Sequence, residues 1–420
     1  MTGILKQQTK NKPLIGALLS ANAVALFLCE LILILPDDAF TLLPIYKNVT
    51  PSYILYDWLH YSFGLFLLAI LFTGLLFAFL RRDKVYFLFI LYCLVREAFY
   101  YHLIDKNAIS YKSFEIYLTI LTGLSFIEIV CYCFPSFQSK RDFYILFLIL
   151  NMLTIFATFV LGGNSNIRDR CNAVNLDVGE SGILCCILLI FLLGSPKASK
   201  TIFVPLTILA IYLTGSRISL IFGILILAFY FARLFFVTKN QTTKFLIVFF
   251  LLMFIAVVFL ESGHILEAIN SSRLAVVFDS SSMTSDDSYL GRVKSIFIGF
   301  DIIRKNPFGL SAFFTNLQLE TISRGFWTFP HSYLIVLYLL LGPLFLFFFV
   351  VYLRYMFLVK KHDKTLFAVL LFLLLNSFVN GGVTVNFKIV FLLLFPLIIS
   401  IQRVKKSKQN TLPLLRRNRV

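Results

Sequence analysis

The sequence has few charged residues: 14% of its 420 residues are charged, whereas 59% are hydrophobic. Together with a mean hydropathy of +0.88, this composition excludes an ordinary soluble domain. A cysteine framework is also lacking. Six of the seven cysteines lie in or beside apolar runs, where Cys behaves as a small hydrophobe. Cys131 and Cys133 have no second pair at metal-ligand spacing. We therefore expect a membrane protein without a disulfide or metal framework.

Apolar runs long enough to cross about 30 Å of hydrocarbon recur along the chain. The first is too long for the apolar region of a signal peptide and lacks a small-residue cleavage site, so no cleavable signal is expected. The runs predict an all-α polytopic membrane protein with about twelve transmembrane helices. Their approximate positions are 14–35, 60–80, 84–104, 113–134, 143–162, 179–194, 201–215, 217–237, 244–260, 331–353, 365–380 and 385–401. The main alternative merges the seventh and eighth runs into one span.

The placement of basic residues predicts the orientation of these spans. With the N-terminus inside, most of the 38 Lys and Arg residues fall in connections on the cytoplasmic side. The short external connections hold few: Lys47, Lys106, Lys112, Arg168, Arg170, Arg217 and Lys388. Both termini are therefore expected in the cytoplasm. The net charge of +17 is then explained by topology, and no nucleic-acid partner is expected.

Four regions follow from this reading. They are a nine-helix region at 1–260, a polar external loop at 261–330, three further helices at 331–401 and a basic cytoplasmic tail at 402–420. The charged residues at membrane depth, which are functional by default, are Glu30, Arg96, Glu97 and Glu128. The sequence identifies no partner for any of them.

The external loop contains a predicted amphipathic helix from Tyr289 to Asn306, ended by Asn306-Pro307. Its apolar residues recur at helical spacing: Val293, Ile296, Phe297, Phe300 and Ile303. We expect the helix to lie on a membrane surface and to present Arg292 at its first turn. A connector packed on its own bundle is an equal alternative.

Polar residues suited to an anion collect on the external face. Thr214-Gly215-Ser216-Arg217 predicts a tight turn in which Ser216 caps the next helix, so that free N–H groups and a positive dipole end point outward. Arg292 starts the loop helix, and His331 lies where the chain re-enters the membrane. Each residue taken alone has a simpler explanation: Arg217 as an arginine that extends to the lipid headgroups, Arg292 as a solvated charge, and His331 as a polar residue at a helix end. Together they suit a lipid diphosphate held by arginines, with a histidine to accept a proton from an attacking hydroxyl.

Three segments resemble motifs of the O-antigen ligase and O-antigen polymerase superfamily of bacterial membrane glycosyltransferases. Leu213–Ser219 is similar to its Ser/Thr-Arg turn. Gly291-Arg292 followed by Lys305–Gly309 is similar to its Gly-Arg helix and Asn-Pro-hydrophobic-Gly stretch. His331-Ser332 followed by Gly342 is similar to its His-Asn/Ser…Gly signature. The large external loop before the tenth span also matches the superfamily.

Some residues depart from the superfamily pattern. Ser332 stands where Asn is more usual, Pro343 follows the glycine, and Phe345 occupies a position where a small residue is expected. These departures affect the helix that begins near His331.

The resemblance implies a C-type glycosyltransferase-like fold and en bloc, inverting transfer of a glycan from undecaprenyl diphosphate, with no metal or cofactor. Arg217, Arg292 and Ser216 would bind the diphosphate, and His331 would activate the acceptor hydroxyl or orient the donor. Further candidates for contact with glycan or phosphate are Arg168, Arg170 and Arg324.

The resemblance also implies the partners and the compartment. The donor would be a glycan linked to undecaprenyl diphosphate, at the periplasmic face of a bacterial inner membrane and among its lipids. An acceptor on lipid A–core would make the protein a ligase in lipopolysaccharide biosynthesis, which the single large loop favours. A lipid-linked acceptor would make it a polymerase. From another class, a flippase or exporter of lipid-linked glycans remains an alternative, as does a membrane scaffold.

Overall fold

The computed structural model describes residues 69–79, 84–103, 111–160, 171, 173, 178–195, 200–242, 244–245, 248, 287–310, 332–379 and 387–417. Twelve helices have defined bounds, and the described ranges contain no strand. The helices are α1 Ala69–Phe79, α2 Lys84–Leu103, α3 Tyr111–Cys133, α4 Phe137–Val160, α5 Val178–Leu193, α6 Lys200–Leu213, α7 Arg217–Val237, α8 Asp287–Lys305, α9 Tyr333–Leu341, α10 Pro343–Val359, α11 Lys364–Val379 and α12 Phe387–Arg417. The predicted all-helical class is confirmed.

Most helix bounds agree with the apolar runs to within a few residues. α6 ends at Leu213 and α7 begins at Arg217, so the alternative of one merged helix is wrong. The first predicted span, the beginning of the second and nearly all of the ninth lie outside the described residues.

The predicted tenth span, 331–353, is wrong as a single helix. α9 ends at Leu341 and α10 begins at Pro343, with Gly342 between them at φ 59°. Proline has no N–H to donate to the preceding turn, and glycine alone adopts a positive φ readily. The Gly-Pro pair therefore divides this apolar run into two helices.

α12 extends to Arg417, so residues 402–417 of the predicted basic tail are helical, and their cytoplasmic location stays a prediction. α12 also corrects one prediction. Lys388 was assigned to an external connection, but it is buried in the first turn of α12. Its Nζ donates to Oδ1 of Asn151 at 3.0 Å. A buried ammonium needs such a partner to compensate for lost hydration.

α5 occupies the centre of the bundle. Every side chain from Ile183 to Leu192 is buried, and α5 packs against α4, α6, α7 and α11. A helix that is apolar around its whole circumference requires neighbours on all sides. α5 therefore fixes the positions of the helices whose ends form the candidate site.

Other helices carry large apolar side chains on the outside. Phe229 and Phe236 of α7 are 80% and 81% exposed. Among the described helices, α4 and α7 are long and apolar enough to cross a membrane. An extensive apolar surface is unfavourable in water, so these features favour membrane association.

The helix ends sort into two sets. At one end of the bundle, Arg141 at the start of α4 forms an ion pair of 3.4 Å with Asp363 before α11. At the other end, Tyr333 at the start of α9 contacts Glu180 at the start of α5. Each contact joins segments that the predicted topology places on the same side. The candidate site lies at the second end.

The predicted loop helix is α8, within two residues of its expected bounds. Ile296 and Ile303 of the predicted apolar face are partly buried against the bundle. Ser295, Gly299 and Ile302 are buried, whereas Phe297 is 70% exposed. α8 packs against α9, as expected of a connector packed on its own bundle. The small residues Ser295 and Gly299 let α8 approach the bundle closely, whereas contact of its exposed side with a membrane surface stays a prediction.

Candidate functional site

The turn between α6 and α7 has the predicted geometry. Gly215 has φ 59°, and Ser216 is extended, with φ −81° and ψ 106°. The Ser216 side chain accepts the N–H of Ser219 at 3.4 Å, and the two hydroxyls lie 2.9 Å apart. Ser216 is therefore the N-cap of α7. The positive end of the α7 dipole lies at this turn, and Arg217 is the first residue of the helix.

The first turn of α5 packs directly on this cap. A Cβ added at Gly182 would fall on the Ser219 side chain and within 3.4 Å of the Ser216 Cβ. Only a residue without a side chain allows the two helices to approach so closely. Gly182 therefore keeps the start of α5 beside the start of α7.

Two described residues of the connection between α4 and α5, Cys171 and Ala173, are tied to this turn and to the start of α5. The N–H of Cys171 donates to the Leu213 carbonyl at 3.0 Å, and the N–H of Ala173 donates to Oγ of Ser181 at 2.9 Å. Arg170 directly precedes Cys171 in the chain. These bonds hold the described part of the loop over the ends of α5 and α6.

The start of α9 joins the same cluster. The Tyr333 hydroxyl donates to Oε1 of Glu180 at 3.0 Å, and Glu180 is only 1% exposed. The Ser332 hydroxyl donates to the Ser377 carbonyl on α11 at 3.1 Å. Ser332, the residue that follows His331 in the sequence, and Tyr333 therefore lie beside α11 and α5.

α8 is joined to the break between α9 and α10. The Tyr338 hydroxyl donates to the Pro307 carbonyl at 2.7 Å, and the Leu310 N–H donates to the Leu339 carbonyl at 2.7 Å. A Cβ at Gly342 would meet the Phe308 carbonyl. The Asn-Pro-Phe-Gly segment that resembles the superfamily motif is thus the turn that fixes α8, which carries Arg292, to α9.

A buried arginine closes this junction. Arg96 of α2 donates to the carbonyls of Leu340, of Leu310 at 2.6 Å and of Leu339 at 3.3 Å. The Tyr92 hydroxyl donates to the Leu341 carbonyl at 2.6 Å. The last carbonyls of a helix have no partner within the helix, and a cation near them is favourable. We name this arrangement the Arg96 clasp.

The predicted site residues stand as follows. Ser216 and Arg217 lie on the described turn, and Arg292 lies on α8, where the structure gives only its backbone. His331, Arg168, Arg170 and Arg324 lie outside the described residues. The structure brings together the segments on which Arg217 and His331 are found. It leaves the contacts between their side chains as predictions.

Sequence reasoning missed two buried polar residues, Glu180 and Asn376, and identified Arg96 as a charge at membrane depth without its partners. A carboxyl at the first turn of an apolar helix, as at Glu180, is a signal that could have identified the first of these. Asn376 is a polar amide within an apolar run, which is a signal of the same kind. The bonding partners of Arg96 are backbone groups, which no residue pattern reveals.

Among the described residues, no group of three or more His, Cys, Asp or Glu side chains is placed to hold a metal ion. In chemical terms, the described cluster offers a capped helix N-terminus, a guanidinium and buried hydrogen-bonding groups. These groups suit an anion that also carries hydroxyls. A scan of the chain against protein-family models finds no match, and a search of curated proteins finds none.

Proposed function

We propose that this protein is an integral-membrane glycosyltransferase that moves a glycan en bloc from undecaprenyl diphosphate to the hydroxyl of an acceptor. The favoured acceptor is lipid A–core, as in O-antigen ligases. The observation that carries the proposal is the convergence of two segments at one end of the bundle. These are the Ser216-capped start of α7 with Arg217, and the start of α9 directly after His331.

The capped end of α7 supports a diphosphate site. Its first N–H groups lack partners within the helix and point along the positive dipole end, where an anion is stabilised. Arg217 adds a guanidinium, which binds phosphate oxygens through two parallel hydrogen bonds. We assign Arg292 of α8 as the second cation of this site, by its match to the Gly-Arg motif.

The reaction follows from these roles. The acceptor oxygen attacks the anomeric carbon of the donor as His331 takes the hydroxyl proton. The bond between that carbon and the phosphate oxygen breaks, and undecaprenyl diphosphate leaves with the bonding electrons. Arg217 and Arg292 stabilise the charge that develops on the leaving group. Attack from the opposite face inverts the anomeric configuration.

The membrane arrangement is part of the proposal. We infer about twelve spans, cytoplasmic termini and an active face on the periplasmic side of a bacterial inner membrane. The lengths of α4 and α7, the exposed phenylalanines and the two sets of helix ends support this inference. The loop at 261–330, with α8, would cover the periplasmic face.

The test is transfer by purified protein in nanodiscs, with EDTA present. An undecaprenyl-diphosphate-linked glycan is the donor, and lipid A–core and a second lipid-linked glycan are supplied as acceptors in separate reactions. Arg217→Ala, Arg292→Ala and His331→Ala should abolish transfer. Arg304→Ala, at an exposed arginine in the last turn of α8, is the matched control and should retain it.

The acceptor that receives the glycan decides between the two activities. Transfer to lipid A–core identifies a ligase, and growth of the lipid-linked chain identifies a polymerase. No transfer to either acceptor, with movement of the donor across the bilayer instead, would overturn the enzyme proposal in favour of a transporter.

A further inference from the structure

α11 carries a buried amide with unused hydrogen-bonding capacity. Asn376 is 0% exposed, and neither its Nδ2 nor its Oδ1 has a hydrogen-bond partner in the structure that the described helices form. An Asn side chain offers two donors and an acceptor oxygen. Buried polar side chains in folded proteins are almost always satisfied, so an orphaned amide requires an explanation, and a bound ligand is one that can be tested.

Two contacts place Asn376 beside the candidate site. The next residue, Ser377, accepts the Ser332 hydroxyl at 3.1 Å, which fixes this part of α11 to the start of α9. Phe372, one turn earlier on α11, packs edge-on against Phe222 of α7, with ring centroids 5.2 Å apart. Residues four apart share a helix face, so Asn376 lies on the face of α11 that carries Phe372, the residue in contact with α7.

The register along α7 gives the level of this amide. α11 and α7 run in opposite directions, because α11 ends and α7 begins at the same end of the bundle. One turn from Phe372 toward the end of α11 reaches Asn376. One turn from Phe222 toward the start of α7 reaches Ser219, which is buried and bonded to the Ser216 cap. Asn376 therefore lies at the level of the first turn of α7.

The chemistry of the amide selects a class of partner. A phosphate oxygen only accepts hydrogen bonds at neutral pH, so it would leave the Asn376 carbonyl oxygen unsatisfied. A sugar hydroxyl both donates and accepts, and two neighbouring oxygens of a sugar can engage Nδ2 and Oδ1 together. The cationic start of α7 suits the diphosphate, whereas the neutral amide beside it suits the sugar.

We propose that Asn376 is a substrate-binding residue that hydrogen-bonds a hydroxyl of the sugar attached to the lipid diphosphate. The proposal deepens the glycosyltransferase function and rests on it. The site then divides by chemistry. Arg217 and the start of α7 bind the diphosphate, and Asn376 binds the first sugar.

The test compares two ligands of known structure with full-length protein in nanodiscs. One is undecaprenyl diphosphate bearing a single N-acetylhexosamine, and the other is undecaprenyl diphosphate without sugar. The increase in unfolding temperature is measured with each lipid, and the difference between the two increases is the sugar increment. Wild type should show a positive increment, and Asn376→Leu should lose it while retaining the increase given by the sugar-free lipid.

The leucine variant is expected to fold. Replacing an orphaned buried amide with an apolar group of similar volume removes an unsatisfied group, so the ligand-free unfolding temperature should be unchanged or higher. Ser377→Ala is the matched control. It is the adjacent buried residue, and its hydroxyl bonds only within α11, to the Leu373 carbonyl at 2.6 Å. It should retain the full increment.

Steady-state transfer supplies a second measurement. Loss of two hydrogen bonds to the sugar should raise KM for the donor about tenfold or more. Wild-type transfer together with an unchanged increment and KM in Asn376→Leu would overturn the role of Asn376 and leave the enzyme intact. Such a result would mean that water satisfies the amide. Absence of both transfer and lipid binding in wild type would overturn the proposed function, and the role of Asn376 with it.

Discussion

Replacing Arg96 with methionine tests whether the clasp holds the broken helix together. Methionine keeps the length and apolar stem of the side chain but removes the guanidinium. The carbonyls of Leu340, Leu310 and Leu339 then lose a charged donor in the interior of the bundle. Because the Asn-Pro turn and α9 meet only through such bonds and adjacent packing, we expect the junction between α8 and α9 to loosen.

The size of the effect follows from the individual bonds. A hydrogen bond from a charged donor contributes about 1.5–3 kcal/mol. The Leu339 carbonyl keeps the Leu310 N–H at 2.7 Å, so two bonds dominate the loss. Methionine also removes a buried charge, which offsets part of that loss. We expect a net destabilisation of about 2–4 kcal/mol, which for a chain of 420 residues lowers the unfolding temperature by roughly 2–5 °C.

The assay uses the buried cysteines as reporters. Cys185 and Cys186 are buried at the centre of α5, so a fluorogenic maleimide reacts with them only when the bundle opens. Arg354→Met, at an exposed arginine on α10, is the control and should stay within about 0.5 kcal/mol of wild type. Arg96→Lys keeps the charge but lacks the planar guanidinium, so its unfolding temperature should lie between those of Arg96→Met and wild type. An Arg96→Met protein with the same unfolding temperature as wild type would refute the role of the Arg96 clasp.

Three further predictions concern the same end of the bundle. Gly342→Ala should lower the free energy of unfolding by about 1–3 kcal/mol in the same thermal assay, because Gly342 has φ 59° and an added Cβ would collide with the Phe308 carbonyl. An unchanged unfolding temperature would contradict the observed backbone. Tyr333→Phe should lower the free energy of unfolding by about 1.5–3 kcal/mol, because it removes the hydroxyl that donates to the Glu180 carboxyl. A double-mutant cycle with Glu180→Gln measures the coupling energy between the two side chains, and a coupling energy of zero would count against the contact. Arg217→Lys should reduce glycan transfer at least tenfold without lowering the unfolding temperature, because lysine lacks the bidentate fork; full transfer would exclude a bidentate role.

The helices were predictable because local sequence decides them. Apolar runs and the Gly215-Ser216 turn contain all the information that separates α6 from α7. The residues Gly342 and Pro343, at which the helix breaks, could be read from the sequence. The hydrogen bonds that stabilise the break could not. The Leu340 carbonyl is bonded by Arg96, 244 positions earlier in the chain. Local patterns therefore show where a helix ends, whereas the groups that satisfy its end come from the tertiary fold.

The face of α8 shows a second limit. Periodicity grouped the apolar side chains of α8, but it does not decide which of them face the bundle. Ser295 and Gly299 are buried, and Phe297 and Phe300 are exposed. Close helix contact selects small residues, and a phenylalanine at a lipid-facing position has no reason to be buried. In a membrane protein, an apolar residue is therefore a poor guide to the inside of the fold.

The same distinction applies to the candidate site. Arg217 and His331 were identified by residue type, because cations and a proton acceptor suit a diphosphate at a membrane surface. The contact that joins the start of α9 to the start of α5 is made by Glu180 and Tyr333, which are 153 positions apart. Neither residue forms a recognisable motif, so only the folded chain joins the two segments.

Arg96 and Arg217 have different surroundings. Arg96 is buried and donates to the carbonyls of Leu339 and Leu340 at the end of α9 and to the carbonyl of Leu310 after α8. That end is separated from the start of α9 by the 9 residues of the helix, so the role of Arg96 is to hold the helix junction together. Arg217 is the first residue of α7, where its charge and the positive end of the helix dipole act in the same direction. Accordingly, added salt should weaken lipid-diphosphate binding through Arg217 and leave the unfolding temperature set by the buried Arg96 nearly unchanged.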